Sequence, residues 1–483
     1  MPNKEKYEIV VGLEVHAQLL TKTKLFCADT TEFGIEPNTQ VSVISLGYPG
    51  TLPRLNKKAI SLAVRLGLAC NCEIIQHNYF ARKNYFYADL PKGYQISQHT
   101  TPICKNGFLD ISAGGENKKI RINRIHIEED AGKSLHDEDS KFSNLDFNRA
   151  GMPLLEIVTE PDIRSADEAF AFVTALRKLV RHLGVCDGNM EQGSLRCDVN
   201  ISVRERGQQK LGTKVEIKNL NSIRFIKKAI GHETERLISL VEEGEKILQE
   251  TRGFDENNFT TFSIRTKEDE DDYRYFPEPD LPPFFLSNEM IEKIRSGMPA
   301  LQSGIKEKLI ADYQLSTYDA EQLSNDTELS NLFFELTRHT SNYKASANWI
   351  LGPIKNHLSG NDQSLDETQL TPKSIAEMIG LIDNGTISYG IALQQIFPAV
   401  IKNPSLDIGQ YIDENQLQVQ SSQSEIGNLI DAALSKHSQK IAEYKKGKKG
   451  LISLFVGEVM KLSKGTADAK LVTEIIIEKL KHN

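Results

Sequence analysis

The chain is poor in the residues that mark secreted, zinc-stabilised or membrane proteins. Its 483 residues include 6 cysteines and 1 tryptophan, and no two cysteines have the C-x-x-C spacing. Cysteines this sparse exclude a disulfide scaffold and give little support to a structural zinc site. No apolar run of about 18 residues predicts a membrane span, and no apolar signal core precedes the first strand. We therefore expect a cytoplasmic protein with free thiols.

Several motifs of common enzymes are also missing. The sequence has no G-x-S-x-G, no H-E-x-x-H and no glycine-rich dinucleotide fingerprint, which excludes simple hydrolase and dehydrogenase interpretations. The stretch "AGKS" at 131–134 ends like a phosphate-binding loop, but Ile127 stands where that loop has its first glycine. The three acids at 128–130 would repel a bare triphosphate. Lys133 remains a candidate phosphate contact if a metal ion lies between the acids and the nucleotide.

Charge is distributed unevenly along the chain. The net charge of −8 is unlike that of a protein coated for nucleic-acid binding. Residues 436–483 are the exception: they hold 11 Lys and 5 Asp or Glu, a net charge of +6, which leaves −14 for residues 1–435. A phosphate backbone should therefore meet this basic C-terminal segment first.

The length and the pattern of elements predict two to four domains of α+β class. Strands and interleaved helices are indicated up to about residue 275, including a helix from the Ser165 cap to Gly184. Four prolines in "FPEPDLPPF", residues 276–284, indicate a rigid linker. Helical patterns follow, such as 371–385, and a polar stretch near 403–424 precedes the basic segment. We expect no internal repeat.

Four segments alternate apolar and polar residues as half-buried strands do: 13–19, 125–129, 196–203 and 214–218. Their polar positions are Glu14, His16, His126, Glu128, Arg196, Asp198, Asn200, Lys214, Glu216 and Lys218. If the strands share a sheet, these carboxylates meet on one face and require a cation, for which oxygen-rich ligands favour Mg²⁺. The alternative is a sheet face that is simply solvated.

Residues 82–98, "RKNYFYADLPKGYQISQ", interleave basic and aromatic side chains. Such a mixture can hold a nucleobase and its phosphates. The pattern fits a buried aromatic strand followed by a turn at 91–93 equally well. The acidic stretch 268–274 is typical of a solvated surface.

Several long motifs resemble one family. "GLEVHAQL", "LGYPGTLPRLNKKA", "RKNYFYADLPKGYQISQ", "HIEEDAGKS", "DFNRAGMPLLEIV", "EQGSLRCDVNISV", "GTKVEIKNLNS" and "DDYRYFPEPDL" are similar to segments of the B subunits of aspartyl/glutamyl-tRNA(Asn/Gln) amidotransferases. The resemblance runs nearly end to end. It implies an N-terminal mixed or antiparallel-sheet cradle domain (1–292), an all-α helical domain (293–405) and a small helical tail domain that binds tRNA (406–483).

The resemblance also implies a reaction and partners. The B subunit would use ATP and Mg²⁺ to phosphorylate the side-chain carboxylate of Glu on tRNA(Gln) or of Asp on tRNA(Asn), and ammonia would then displace the phosphate. An amidase-type A subunit would release the ammonia from glutamine, and a small C subunit would complete a heterotrimer. The chain would thus be part of a glutamine-hydrolysing ligase that forms carbon–nitrogen bonds.

The resemblance carries roles to individual positions. The metal-binding set would be Glu14, His16, Glu128, Glu129 and Glu216, although strand alternation turns Glu129 away unless a bulge intervenes. Glu129, Asp198 and Lys218 would be catalytic; Arg82, Lys83, Tyr85, Lys92 and Lys133 would bind the nucleotide or the aminoacyl end. Lys445, Lys446, Lys448, Lys449, Lys461 and Lys464 would grip the tRNA by shape and phosphate.

Two features depart from the family pattern. Many members bind zinc through cysteines where this chain has Cys27, Asp29, Ser42 and Ser45, so we expect no zinc. The usual Glu before "GSLRCD" is Gln192 here, and we assign it no role.

Two other functions remain as alternatives. A tRNA-binding scaffold of the same complex would have lost the chemistry, and a stand-alone metal-dependent phosphatase or nuclease would turn over without partner subunits. The sequence does not indicate which misacylated tRNA is the substrate, the pose of ATP or the route of ammonia.

Overall fold

The computed structural model describes residues 5–136, 142–266, 274–361, 363, 365–368, 370–419, 423–445, 448–463 and 465–482. The chain forms two compact units, Met1–Pro299 and Ala300–Asn483. The first combines strands and helices, and the described part of the second is helical. The expected α+β class is therefore confirmed at this level.

The described strands of the first unit are β1 (Tyr7–Gln18), β2 (Glu73–Ile74), β3 (His77–Asn78), β4 (Ala81–Asn84), β5 (Tyr94–Ser97), β6 (Cys104–Ala113), β7 (Glu116–Glu129), β8 (Lys133–His136), β9 (Ser143–Asp146), β10 (Pro153–Thr159), β11 (Leu195–Glu205), β12 (Val215–Leu220), β13 (Glu250–Asp255), β14 (Thr260–Thr266), β15 (Arg274–Pro277) and β16 (Phe284–Phe285). Its described helices are α1 (Lys57–Ala69), α2 (Ala166–His182), α3 (Ile223–Glu242) and α4 (Asn288–Ser296).

A nine-stranded sheet in the order β14-β13-β12-β11-β1-β10-β7-β6-β2 organises this unit. Its pairs are antiparallel apart from β12 with β13, which makes the sheet mixed. All four alternating segments predicted from the sequence lie in it, on β1, β7, β11 and β12. β10 was not among them, and it separates β1 from β7.

One face of the sheet is apolar and covered. Leu13 and Val15 of β1 and Val199 and Ile201 of β11 are fully buried, and α2 and α3 pack against strands of the sheet. The predicted helix at 165–184 is confirmed: Ser165 caps α2 by accepting a hydrogen bond from the Glu168 N–H. Burial of the apolar face by helices leaves the polar positions of the same strands on the opposite side.

The proline-rich segment is not the linker that we expected. Residues 274–277 form β15, which pairs with β4, and Phe284–Phe285 pairs with β3. Proline is tolerated at the edge of a sheet, where its missing N–H costs no ladder bond. The segment is therefore built into the first unit, which continues through α4 to Pro299.

The described α-helices of the second unit are α5 (Gln302–Ala311), α6 (Thr317–Ser324), α7 (Thr327–Leu336), α8 (Tyr343–Trp349), α9 (Lys355–Asn361), α10 (Pro372–Asp383), α11 (Tyr389–Ile391), α12 (Phe397–Lys402), α13 (Ile408–Glu414), α14 (Gln423–Lys436), α15 (Ser438–Lys445), α16 (Ile452–Leu462) and α17 (Ala469–His482). Short π-helical turns at Ile350–Ile354 and Ala392–Ile396 and 3₁₀ turns at Asp366–Thr368 and Lys449–Leu451 join some of them.

Two apolar clusters form inside this unit. The larger runs from Ile305 to Leu417, and the smaller from Ile426 to Leu480. Ile408 and Ile412 of α13 belong to the larger cluster, so the polar stretch near 403–424 contains a packed helix. No helix in the described part of the chain combines the length and apolarity needed to cross a membrane.

Candidate functional site

Strand register places the polar residues of the central sheet opposite one another. On β1, Glu14 faces Asp198 of β11, and His16 faces Glu156 of β10. Glu156 in turn faces His126 of β7. Directly opposed residues on one face of an antiparallel pair have Cβ atoms about 5 Å apart. The register therefore gathers acids and imidazoles from strands far apart in the sequence.

The Glu14 cluster comprises Glu14, Asp198 and Glu216, each of which offers a carboxylate oxygen within 4.8 Å of the other two. Asn200 Nδ2 donates to Glu14 Oε1 at 2.9 Å, and Thr251 Oγ1 donates to Glu216 Oε2 at 2.8 Å. These hydrogen bonds fix the direction of the carboxylates.

The pKa of Glu14 records how crowded this cluster is. Burial raises the pKa of Glu14 above its ordinary value, and the charges of Glu156, Asp198 and Glu216 raise it further, against the hydrogen bond from Asn200. Like charges this close are unfavourable unless a cation or a proton joins them.

Lys218 supplies one positive charge at the Glu14 cluster. Its Nζ lies 3.2 Å from Glu216 Oε1 and 3.7 Å from Asp198 Oδ2. The register between β11 and β12 shifts between Cys197 and Val199. The bulge leaves Asn219 with a left-handed φ of 59°, and its N–H donates to Asp198 Oδ1 at 2.9 Å. Burial by itself would lower the pKa of Lys218, but the charges of Asp198 and Glu216 raise it on balance.

The His16 cluster comprises His16, His126, Glu128 and Glu156. His16 Nε2 lies 3.5 Å from Glu128 Oε1 and 3.6 Å from Glu156 Oε2. His126 Nε2 lies 3.5 Å from Glu128 Oε2 and 3.2 Å from Glu156 Oε2. One ligand atom each from His16, Glu128 and Glu156 falls within a mutual distance of 4.8 Å.

The two imidazoles attract protons strongly in this cluster. Burial would lower the pKa of His16, but a hydrogen bond to Glu156 and the nearby carboxylate charges outweigh it and raise the pKa to about 9. Burial opposes the same effect at His126, whose pKa the charges of Glu156 and Glu128 also raise to about 9. Burial favours a higher pKa at Glu156, but the two histidines hold that pKa well below its ordinary value.

Both clusters fit a hard divalent cation. Their ligand atoms are mostly carboxylate oxygens, which Mg²⁺ prefers, and a cation can replace the proton on an imidazole nitrogen. Two buried polar atoms beside them, Asn200 Oδ1 and His126 Nδ1, have no hydrogen-bond partner within the described residues. Polar atoms without a hydrogen-bond partner beside closely spaced carboxylates are compatible with an ion or a water molecule bound at the clusters.

Glu129 and Lys92 lie together in a different place. Glu129 follows Glu128 on β7 without a bulge, so the two side chains point to opposite faces. Glu129 forms an ion pair with Lys92 and accepts a 2.8 Å hydrogen bond from the Ile96 N–H. Both residues line a cavity of about 200 Å³ with Phe26 and Tyr94. The structure therefore does not bring Glu129 to the face that carries the other predicted metal ligands.

Residues 82–84 belong to the small sheet in the order β15-β4-β5, whose strand β5 contacts β7. Arg82 makes a bidentate ion pair with buried Glu278, with contacts of 2.7 and 2.9 Å, and its guanidinium lies 4.2 Å from the Tyr94 ring centre. Lys83 Nζ lies 5.3 Å from the ring centre of Tyr85. The Tyr85 hydroxyl donates to Gln95 Oε1 at 3.2 Å. Arg82 is thus held by Glu278.

The "AGKS" stretch does not have the geometry of a phosphate-binding loop. A strand, β8, rather than a helix begins within it at Lys133, and this strand pairs with β9. The Gly132 N–H donates to the Asp89 carbonyl at 2.8 Å. Lys133 is exposed at the start of β8.

Two family models match the chain. The model described as the GatB/GatE catalytic domain matches residues 9–292, more than half of the sequence. The chain belongs to the GatB/GatE family. A second model, described as the GatB domain, matches residues 331–480. The catalytic-domain match contains every residue of the Glu14 and His16 clusters.

Curated relatives match along their whole length. A protein of Thermodesulfovibrio yellowstonii, named as the B subunit of an aspartyl/glutamyl-tRNA(Asn/Gln) amidotransferase, is 49% identical over 476 residues, which cover 99% of this chain and 100% of that protein. Proteins of the same name from Geotalea daltonii and Persephonella marina are both 46% identical over 478 residues, which cover 98–99% of this chain and 99–100% of theirs. The resemblance found in the sequence motifs is confirmed.

The match to the GatB domain contains the lysines proposed to bind tRNA. Lys448, Lys449 and Lys461 are exposed. Lys448 Nζ lies 3.0 Å from Glu443 Oε2. Lys446, Lys464 and the side chain of Lys445 lie outside the described residues.

The four positions at which many family members bind zinc do meet in this GatB/GatE chain. Asp29 Oδ2 accepts hydrogen bonds from Ser45 Oγ at 2.6 Å and from the Ser42 N–H at 2.9 Å. Cys27 is also hydrogen-bonded to Asp29, and burial raises the pKa of its thiol to about 11. These residues offer a carboxylate, a thiol and two hydroxyls rather than four thiolates.

Sequence reasoning missed two participants and left one position without a role. Glu156 is central to the His16 cluster, and its signal was a single acid inside the apolar run 152–158. Thr251 reaches Glu216 from β13, for which no local signal exists. Gln192 is exposed, and its N–H donates to Asn189 Oδ1 at 3.1 Å.

Proposed function

We propose that the chain is the component of an aminoacyl-tRNA amidotransferase that activates the amino acid with ATP and Mg²⁺. Its substrates are Glu-tRNA(Gln), Asp-tRNA(Asn) or both. The observation that supports the proposal best is the convergence of the Glu14 and His16 clusters on one sheet face. Membership of the GatB/GatE family and the names of the relatives support the substrate class.

The reaction joins two displacements. A carboxylate oxygen of the amino acid attacks the terminal phosphorus of ATP, and ADP leaves with the electron pair of the broken P–O bond. Ammonia then attacks the carbonyl carbon of the acyl phosphate, loses a proton and expels phosphate to leave the amide. Phosphoryl transfer of this kind depends on positioning and on neutralising charge.

The residues of the two clusters would hold the metal ions. Glu14, Asp198 and Glu216 would bind one cation, and His16, Glu128 and Glu156 another. When bound, Mg²⁺ offsets the negative charge of the phosphates and orients them. Asn200 and Thr251 hold their carboxylate partners in a fixed direction, which reduces the reorganisation needed when substrate enters.

Lys218 has a separate role in this proposal. Its ammonium lies between Asp198 and Glu216, and its side chain is about one-third exposed (34%). Once a cation neutralises the acids, the flexible lysine stem lets the ammonium turn to a phosphate oxygen or to the substrate carboxylate. Lys218 would then neutralise charge in the substrate as it now does in the cluster.

The remaining parts of the proposal concern partners and layout. An amidase-type A subunit would supply ammonia, and a small C subunit would complete the heterotrimer. The cradle domain would comprise residues 1–292, extended here to Pro299. A helical domain and a basic tail would follow, and the apolar clusters favour a boundary for them between residues 417 and 426.

The decisive experiment compares Glu14→Gln with Glu116→Gln in the assembled complex. Glu116 is an exposed residue at the start of β7, which also carries Glu128. We expect Glu14→Gln to reduce ADP formation that depends on misacylated tRNA by a factor of about 100 or more, because charge stabilisation at the reacting group is lost. Glu116→Gln should retain it.

Two results would contradict the proposal. A Glu14→Gln complex with full ADP formation would favour a scaffold role. Amidation from glutamine by the isolated chain would refute the division of labour between subunits. Assays with both misacylated tRNAs would identify the substrate.

A further inference from the structure

A basic pocket of about 510 Å³ opens at the start of α3. It lies between the C-terminal half of α2, the loop at 187–191 and the start of α3. The residues that line it include three arginines and three neutral polar residues: Arg177, Arg181, Arg224, Asn189, Asn221 and Ser222. None of these six residues belongs to the Glu14 or the His16 cluster. A concave surface with several guanidinium groups is suited to an oxyanion.

The charge of the pocket matches a singly charged anion. Asp187 and Glu191 also line it, so three guanidinium groups face two carboxylates and leave a net charge of +1. Asp187 accepts hydrogen bonds from the Asn189 N–H at 2.8 Å and from Ser194 Oγ at 3.2 Å. A phosphodiester carries one negative charge, whereas the triphosphate of ATP carries several and would be repelled by the two acids.

The arginines differ in how they are held. Arg177 Nε donates to the Gly188 carbonyl at 2.6 Å, which ties this guanidinium to the rim of the pocket. Arg181 and Arg224 are exposed; Arg181 belongs to α2 and Arg224 to α3. A ligand between them would therefore meet arginines from two different helices.

The start of α3 adds hydrogen-bond donors and a partial positive charge to those of the arginines. This helix is 20 residues long, its first turn contains no acidic residue, and Ser222 at the N-cap makes no side-chain capping hydrogen bond. The first N–H groups of a helix and its dipole favour an anion. These N–H groups add to the attraction of the arginines for an anion, which is the larger of the two contributions.

Phe225, which follows Arg224 on α3, belongs to a group of aromatic side chains. The ring centre of Phe225 lies 5.7 Å from that of Phe254 and 6.4 Å from that of Phe259. Phe259 is partly exposed, and Lys228 Nζ lies 5.6 Å from its ring centre. Phosphate-binding cations beside aromatic rings are typical of surfaces that bind single-stranded nucleic acid, because bases stack on the rings.

A short stretch of chain joins the pocket to the Glu14 cluster. The Asn219 N–H donates to Asp198 of the Glu14 cluster at 2.9 Å, and Asn221, two residues further on, lines the pocket. Two residues of extended chain span about 7 Å. A phosphate in the pocket would thus lie within reach of one flexible nucleotide from the carboxylates.

We propose that this pocket holds a phosphodiester of the single-stranded 3′ end of the substrate RNA and so delivers the attached amino acid to the Glu14 cluster. The inference rests on the proposed function and adds to it a defined contact to RNA. Arg181 and Arg224 bind the phosphate, and Arg177 frames the site.

The test measures RNA binding by the assembled complex with two RNAs. One is the intact substrate tRNA, and the other is the same tRNA without its single-stranded 3′ nucleotides. The variants are Arg181→Gln and Arg224→Gln, and the control is Lys178→Gln, an exposed cation of α2 that does not line the pocket. Melting curves establish that each variant is folded.

We expect each arginine variant to bind intact tRNA about tenfold more weakly, the effect of losing one charged hydrogen bond. Binding of the shortened tRNA should be unchanged, and Lys178→Gln should bind both RNAs as the wild type does. The slope of log K against log salt should also fall by about 0.7 for intact tRNA, the value for one phosphate of a single strand.

Three outcomes would overturn the inference. They are unchanged binding of intact tRNA, an equal loss with both RNAs, and a rise in the KM for ATP with tRNA binding unaffected. The last would assign the pocket to the nucleotide. These results can be distinguished from a failure of the proposed function. A wild-type complex that recognises the 3′ end but consumes no ATP would refute the proposed ATP-dependent reaction and would not contradict the role of the pocket in RNA binding.

Discussion

Lys218 neutralises charge in the Glu14 cluster and, in the proposed function, would also neutralise charge in the substrate. In the described structure its ammonium is 3.2 Å from Glu216 and 3.7 Å from Asp198, so it neutralises part of the charge of the Glu14 cluster. A divalent cation at the same acids would compete with it. The stability of the protein should therefore depend on Lys218 and on Mg²⁺ together.

We expect Lys218→Met to lower the melting temperature of the metal-free protein by about 2–4 °C, the shift that roughly 1 kcal/mol produces in a large domain. Methionine approximates the length of the side chain and removes its charge, so three acids remain without their cation. Added Mg²⁺ should raise the melting temperature of the variant more than that of the wild type, because binding to the folded state adds stability.

The matched control is Lys214→Met, an exposed lysine directly before β12. Melting curves in chelator and in increasing Mg²⁺ make the comparison. Identical Mg²⁺ responses of wild type, Lys218→Met and Lys214→Met would contradict the interpretation that Lys218 and the cation share the Glu14 cluster.

Local periodicity explains which site residues could be predicted. Alternation with period two puts Glu14 with His16 and Glu216 with Lys218 on one face whatever the neighbouring strands are. Glu156 could not be predicted in the same way, because its strand reads as an apolar run and its place between β1 and β7 depends on long-range pairing. The convergence of Arg181 and Arg224 depends in the same way on the packing of α2 against α3.

At the scale of elements, the segment 19–56 is held by polar contacts rather than by regular strands. Asp29 accepts from Ser42 and Ser45, and the fully buried Lys24 lies 4.0 Å from it. Lys24 Nζ also donates to the Gln40 carbonyl at 2.7 Å. The Asp29 carboxylate thus connects parts of this loop that a zinc ion bound by four thiolates could also connect.

This arrangement leads to a prediction about metal content. The purified wild-type protein should contain no stoichiometric zinc, because one thiol and one carboxylate are a poor tetrahedral set. The variant Asp29→Cys/Ser42→Cys/Ser45→Cys should bind about one zinc ion with Cys27, since the four positions already meet. Elemental analysis after dialysis measures both.

The control adds Cys27→Ser to the triple variant, which leaves three thiols and should weaken zinc binding. Stoichiometric zinc in the wild type, or a triple variant that binds no more zinc than its control, would show that the four positions do not form a site.

The proline-rich segment shows why some elements escape prediction. Proline content excluded a helix and a central strand correctly, but it could not show that β15 pairs with β4 or that Glu278 binds Arg82, which is 196 residues earlier. Edge strands are compatible with proline. The capped and periodic helices α2 and α10 could be predicted because their signals are local.

At the scale of the whole molecule, charge and chemistry are divided along the chain. Residues 1–435 carry −14 and contain both acidic clusters, whereas residues 436–483 carry +6. Composition alone could predict this division. The extent of the units could not be predicted as well, because no local pattern identifies the contact of α4 with α1 or the packing of α13 in the larger apolar cluster.

The division predicts that the basic tail contributes affinity for tRNA and little to the chemical step. Replacing the exposed residues Lys448, Lys449 and Lys461 by glutamine should raise the KM for misacylated tRNA. The slope of log K for tRNA binding against log salt should fall by about 0.9 for each phosphate that is no longer bound. The kcat for amidation should stay near that of the wild type, because these lysines belong to the second unit and the acidic clusters to the first. Lys436→Gln is the control, since Lys436 also belongs to the basic segment but is not among the lysines proposed to bind tRNA. A fall in kcat with an unchanged KM would mean that the tail acts on catalysis rather than on binding.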